Sequence, residues 1–283
     1  MSRYAVLNQP DAQALQWYVE NGVDECLSEE PQDRTAPKPI QPTVTQQQPG
    51  VTKTGQSTNI SPLPSVENNQ PDIMGTAEAI IAAQQLADAA NSLDELKIAI
   101  TNFDGLSVKK TATNMVFADG NTDADIMVIG EAPGADEDIQ GKPFVGASGQ
   151  LLDKIFGCID LSRETEDIKN AIYISNILNW RPPGNRTPTQ AEIDIARPFI
   201  EKHISLVKPK FIVVCGAVAA KGLLQQNVSI SKLRGKFHDY KTPQGHQALV
   251  MATYHPAYLL RTPSQKRATW NDILMLKEKL STP

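Results

Sequence analysis

From about residue 120 onward, short runs of aliphatic and β-branched residues alternate with longer segments whose apolar positions recur every three or four residues. The runs Ile126–Ile129, Ile172–Ser175, Phe211–Cys215 and Leu249–Thr253 predict strands, and the segments 147–159, 189–207, 216–225 and 264–280 predict helices. Strand and helix in alternation imply a mainly parallel sheet covered on both faces. The expected fold is therefore α/β, a three-layer α/β/α sandwich with a central four-stranded, mainly parallel sheet. Upstream, the Ala-rich stretch 74–92 and the segment 93–103 predict two further helices, the second capped by Ser92 or Asn91. Near the start, Leu15, Trp17, Tyr18, Val19 and Val23 have the spacing of a short amphipathic helix. Between the two regions, composition shifts to Pro, Gln, Thr and Ser with almost no aromatics, too little apolar surface to offset chain entropy. The expected organisation is a short helical segment at 1–28, a disordered linker at 29–73 and an α/β/α domain at 74–283.

Composition narrows the chemistry. The sequence contains no run of 18 apolar residues and its first residues lack an apolar signal core, so a cytoplasmic protein without a membrane anchor is expected. Its 3 cysteines lie far apart, which argues against a disulfide framework or a metal site built on cysteine. The 4 histidines show no HxxxH or HxH spacing. The net charge of −5 conceals a polarity: residues 1–100 carry 5 Lys/Arg against 13 Asp/Glu, residues 101–169 carry 6 against 13, and residues 170–283 carry 16 against 6. A polyanion responds to local potential within about 8–10 Å, so the basic C-terminal part can meet a phosphate backbone by itself. The same charge also fits a solvated basic face.

In parallel sheets, ligands bind beyond the carboxyl ends of the strands, so the residues that follow each run are the candidates for chemistry. The first run continues as EAPGADEDIQGKPFVGASGQLLDKI, where four carboxylates (Glu131, Asp136, Glu137, Asp138) crowd a tight turn beside Phe144, which is expected to be exposed. Neither GxGxxG nor GxxxxGK(S/T) is present, and an acidic cluster makes a poor phosphate cradle; carboxylates suit a hydrolytic water better. The second run ends in Asn176, whose amide can both donate and accept toward a base edge, although an Asn there is more often structural. Arg181 and Arg186 flank a Pro-Pro-Gly turn, a rigid way to present cations to phosphate. The last run leads into TYHPAYLLR, where His255 is followed by an apolar tip, Tyr258, Leu259 and Leu260, beside Arg261. Read alone, that tip is packed core; next to a cation it has the form of a wedge that unstacks DNA.

Together the strings GEAPGADEDIQGKPFVGASGQLLDKI, YISNILNWRPPGNRTP, PKFIVVCGAVAAKGLL and TYHPAYLLR resemble the family-4 uracil-DNA glycosylases, from about Lys109 to Leu280. The resemblance implies a base-flipping hydrolase acting on single- or double-stranded uracil-containing DNA, with water as second substrate. It implies that Phe144 stacks on the flipped ring, that Asn176 reads its O4 and N3–H edge, that Ala132 lines the base site, and that His255 donates to O2. Glu131 and Glu137 match the two motif glutamates, Glu137 being assigned to water handling or to exclusion of the thymine methyl; which of them holds the water stays open. Arg181, Arg186, Tyr258, Leu259 and Arg261 are implied to grip DNA. One departure stands out: the family's iron–sulfur cysteines are replaced by the cysteine-free run TNFDGL (101–106), by Trp180 and by Ala196. The cluster is expected to be absent, its space refilled by apolar residues such as Trp180 and Leu106, and no other cofactor or metal is implied. A monomer is expected, with any protein partner docking on the N-terminal segment as a helix in a groove. Alternatives are the same fold acting on other deaminated bases, a variant in which His255 bonds the abasic sugar, or a non-catalytic DNA-binding or polymerase-associated module. The last has no physical need for Glu131, Asn176 and His255 together.

Overall fold

The four apolar runs form the parallel heart of a larger sheet in the computed structural model, which describes residues 75–281. The segment expected to be helical at 1–28 and the linker expected at 29–73 lie outside the described residues. Strands β1 (Asp119–Gly120), β2 (Ile126–Gly130), β3 (Ile172–Asn176), β4 (Phe211–Cys215), β5 (Phe237–Lys241) and β6 (Gln247–Thr253) lie in the order β1-β3-β2-β4-β6-β5. β3, β2, β4 and β6 run parallel, and β1 and β5 are added antiparallel at the two edges. The expected four strands are thus corrected to six. β1 has only two residues, and β5, with the sequence FHDYK, lies partly exposed and lacks an apolar run to betray it.

Nine helices accompany these strands among the described residues: α1 (Thr76–Ala89), α2 (Leu93–Asn102), α3 (Ala135–Gln140), α4 (Ala147–Gly157), α5 (Gln190–Val207), α6 (Ala217–Leu224), α7 (Ile230–Leu233), α8 (Pro256–Arg261) and α9 (Lys266–Leu280). Successive strand residues point to opposite faces, and each face builds its own core. Met127, Ile129, Ile212 and Val214 pack with α1, α2, α5 and α6, while Ile126, Val128, Val213 and Met251 pack with α4 and α9. Such strands are apolar at nearly every position, which is why they were legible as continuous runs. Fully buried Ile126, Ile129, Ile172 and Ile174 each contribute roughly 1.5–3 kcal/mol. On α1 the stripe Ala79, Ala83, Ala87 is fully buried and lets the helix lie close along α5. Ser92 caps α2, its hydroxyl accepting the Glu95 N–H at 3.1 Å. Among the described residues, no helix is long and apolar enough to cross a membrane.

Chain order creates the crevice. From β2 the chain passes to β3 on one side, then crosses to β4 and β6 on the other, so the loops after β2 and β4 part company at their carboxyl ends. Gly130 and Asn176 stand side by side at the ends of β2 and β3, as do Cys215 and Thr253 at the ends of β4 and β6.

Candidate active site

Three strand ends open on one cavity of about 430 Å³: Glu131 to Gly134 after β2, Asn176 at the end of β3, and His255 beyond β6. Phe144, Arg186, Tyr258 and Arg261 complete its walls. Any side chain at position 130 would collide with Asn176 Oδ1 and with the Phe144 ring, so glycine is what lets these two groups close on one point. Asn176 is 2 % exposed, yet its amide has no hydrogen-bond partner among the described residues and lines the cavity. A buried amide left open to a cavity awaits a ligand that both donates and accepts.

His255 is the N-cap of α8, and Pro256 occupies the first helical position. Its Nδ1 accepts the Ala257 N–H at 3.1 Å. The ring proton therefore sits on Nε2, which has no partner among the described residues. Burial holds the imidazole pKa down at about 4, the Arg261 cation pushes the same way, and Glu137 opposes them. The ring is thus a neutral donor at physiological pH. It stacks 5.5 Å from Phe144 at an interplanar angle of 27°. The expectation of an exposed Phe144 is corrected: at 5 % exposure it packs in the core beneath the sheet face while lining the cavity.

The two motif glutamates differ sharply. Glu137 Oε1 accepts the N–H groups of Val145 and Gly146 at 2.9 and 3.1 Å, and Oε2 accepts that of Gly134 at 3.1 Å. Both oxygens are spent on organising the loop. Glu131 makes no side-chain hydrogen bond among the described residues, and burial raises its pKa. Asp138 is tied to the Thr113 and Asn114 N–H groups at 2.8 and 3.0 Å, and Asp136 is exposed. Of the four carboxylates, Glu131 is the one placed in the cavity with its oxygens uncommitted.

The cations are also unequal. Arg186 is held by both oxygens of Glu192, at 2.9 and 2.6 Å, whereas Arg261 is exposed and unpaired among the described residues. Arg181 donates to Asn185 Oδ1 at 2.7 Å and lies outside the cavity wall. The expected wedge changes shape. Residues 256–261 form a turn of helix, which buries Leu259 completely and leaves Leu260 as the exposed apolar residue, at 44 %. Leu259 is therefore in the core, out of reach of DNA, and Tyr258 and Leu260 make the surface. Ser148, Pro182, Asn185 and Thr187 also line the cavity and were not singled out from sequence. Asn185, with φ 55°, carried a usable signal, since Asn after Pro-Pro-Gly suits a left-handed turn; Ser148 carried none.

The residues at the family's cluster positions do not fit an iron–sulfur group. Phe103, Leu106, Trp180 and Ala196 are all buried in one apolar core. Phe103 meets Phe199 edge-on at 5.2 Å, and Lys109 lies 5.9 Å over the Trp180 ring. A cluster needs thiolates, and the two described cysteines, Cys158 and Cys215, are not in this cluster.

The uracil DNA glycosylase superfamily profile matches residues 117–274. The chain is 39% identical over 178 residues to a type-4 uracil-DNA glycosylase of Saccharolobus solfataricus, covering 61% of this chain and 79% of that protein. A type-4 uracil-DNA glycosylase of Archaeoglobus fulgidus is 35% identical over 191 residues, covering 66% and 92%. One of Thermotoga maritima is 39% identical over 155 residues, covering 54% and 76%. The matched stretch contains every residue that walls the cavity, from Glu131 to Arg261, and on that ground the chain belongs to the uracil-DNA glycosylase superfamily.

Proposed function

We propose that this chain is a DNA repair glycosylase that flips uracil out of DNA and hydrolyses its N-glycosidic bond, leaving an abasic site. The observation that carries the reading is the neutral, Nε2-protonated His255 facing the same cavity as the unpartnered amide of Asn176 and the uncommitted carboxylate of Glu131. Uracil enters against Phe144, its O4 and N3–H edge paired with Asn176 beside Ala132. Cleavage of the bond between the base nitrogen and the sugar carbon sends the electron pair into the ring, and His255 Nε2–H stabilises the charge that gathers on O2. Water adds to the cationic sugar carbon and releases its proton to Glu131. Arg261, Arg186, Tyr258 and Leu260 face the strand around the mouth. The enzyme works as a cytoplasmic monomer. Incubation of the purified chain with a labelled uracil-containing oligonucleotide, followed by alkali, should cut at the uracil; an uncut strand would refute the reading.

The glutamates make a separable pair. Glu131→Gln should slow single-turnover excision on the order of 10²-fold while leaving the melting temperature near that of the unaltered chain. Glu137→Ala strands three backbone donors and should destabilise the fold by about 3 kcal/mol in urea titration. Equal losses of rate without loss of stability in both variants would show that Glu137 handles water as well.

The chain also functions without an iron–sulfur cluster, because aromatic and aliphatic side chains fill the space. The purified protein should be colourless, with no absorbance band near 400 nm and no stoichiometric iron. A brown preparation with about four irons per chain would show that thiolates reach a cluster from elsewhere.

A further inference from the structure

The segment that presents Phe144 is bent against its own preference. Phe144 has φ 54°, in the left-handed region that bulky side chains avoid. Something must hold it there. Arg163, which does not line the cavity, donates from Nη1 to the Pro143 carbonyl at 2.7 Å and from Nη2 to the Phe144 carbonyl at 3.0 Å. The Arg163 side chain is 9% exposed and is itself fixed by Asp153, whose Oδ1 accepts from Nε at 2.9 Å and from Nη2 at 2.7 Å. Asp119 stands 3.4 Å from Nη1.

The next two backbone groups are gripped by Glu137, which takes the N–H groups of Val145 and Gly146. A cation thus holds two successive carbonyls and an anion holds two successive amides. The turn between them has no freedom to relax. Gly149, in the first turn of α4, makes the approach possible, since any side chain there would overlap the Phe144 carbonyl. Arg163 is absent from the cavity wall and acts only through this loop.

We propose that Arg163 is a positioning residue that locks Phe144 in its left-handed conformation, so that the ring stands ready against His255 to receive the flipped base. The structural half stands on the geometry alone; the effect on excision rests on the uracil-excising reading above. A planar fork suits this task, because its spread nitrogens hold both carbonyls and Asp153 at once in fixed geometry, whereas lysine's three donors rotate about a single nitrogen.

The test combines a rate with a direct view of the ring. Arg163→Lys should slow single-turnover uracil excision on the order of 10- to 100-fold, the scale of a small misplacement of a substrate-positioning group. In a Phe144→Ala background the same change should cost less than about threefold, because the group it positions is gone. A general weakening of the fold would instead cost the same factor in both backgrounds, and that result would overturn the proposal. With 4-fluorophenylalanine at position 144, the fluorine resonance should leave its stacked position in Arg163→Lys; an unmoved resonance would also overturn it. Should Arg163→Lys fail to fold, Asp153→Asn loosens the same guanidinium from an exposed position. It should give a several-fold loss that Phe144→Ala likewise abolishes, and a loss persisting in that background would count against the proposal. If the unaltered chain excises no uracil, the functional reading fails while the fluorine experiment still judges the role of Arg163.

Discussion

Asn176→Asp should lower single-turnover uracil excision by at least about 10³-fold. In the proposed function the Asn176 amide faces the edge of uracil that carries an acceptor, O4, and a donor, N3–H. The amide matches both, and with the base seated against a side chain only 2 % exposed a lost bond is not made up elsewhere. A carboxylate offers acceptors alone, so one hydrogen bond turns into repulsion between two oxygens. It also adds a negative charge to a cavity that already holds Glu131, where the departing base becomes an anion. The ground state loses a bond and the transition state loses more, which is why the rate should suffer beyond binding. Excision by excess enzyme, measured beside inhibition by free uracil, separates the two. A rate within tenfold of the unaltered chain would show that Asn176 does not read the base.

The parallel strands were legible because both their faces are buried, which favours short, nearly continuous apolar runs. The two edge strands answer to weaker demands. β5 keeps His238 and Asp239 partly or wholly in solvent, so its five residues read as loop. Helix α8 hid for another reason. Its six residues begin at Pro256, and in so short a turn the step from Tyr258 to Leu259 to Leu260 rotates each side chain by about 100°. Spacing alone could not say that the middle one enters the core. The site was legible as a set of strand-end residues, and Glu131, Asn176 and His255 do meet at one cavity. Their division of labour was not legible. Four carboxylates in eight residues look alike until the backbone amides that claim Glu137 and Asp138 are seen. Arg163 had no signal at all, since its role depends on two carbonyls about twenty residues away.

His255→Ala should depress single-turnover excision by roughly 10²–10³, the cost of one donor aimed at a developing oxyanion, and leave affinity for uracil-containing DNA within about threefold. The argument turns on protonation. Because Ala257 N–H occupies Nδ1, the neutral ring has its one proton on Nε2, in a side chain that lines the cavity. With the pKa held near 4, that state persists throughout the physiological range, so the rate should show no step near the ordinary histidine pKa of 6.5. Stability should follow the same titration with a definite sign. The unfolded imidazole takes up a proton near 6.5 and the folded one only near 4, so the unfolded chain binds more protons between these values. His255 therefore withdraws stability as the pH falls through that window, and His255→Ala should lose less against the unaltered chain at pH 4 than at pH 8. The alanine also removes the cap of α8, worth about 1 kcal/mol, which could mimic a catalytic defect by loosening the helix. His255→Asn keeps a capping side chain while withdrawing the Nε2 donor; it should be as slow as the alanine variant and closer to the parent in stability. If either variant turned over a bound uracil at the parent rate, the donor would have no part in the chemistry and His255 would be left as the residue that starts α8 and braces Tyr258 and Arg261 at the mouth.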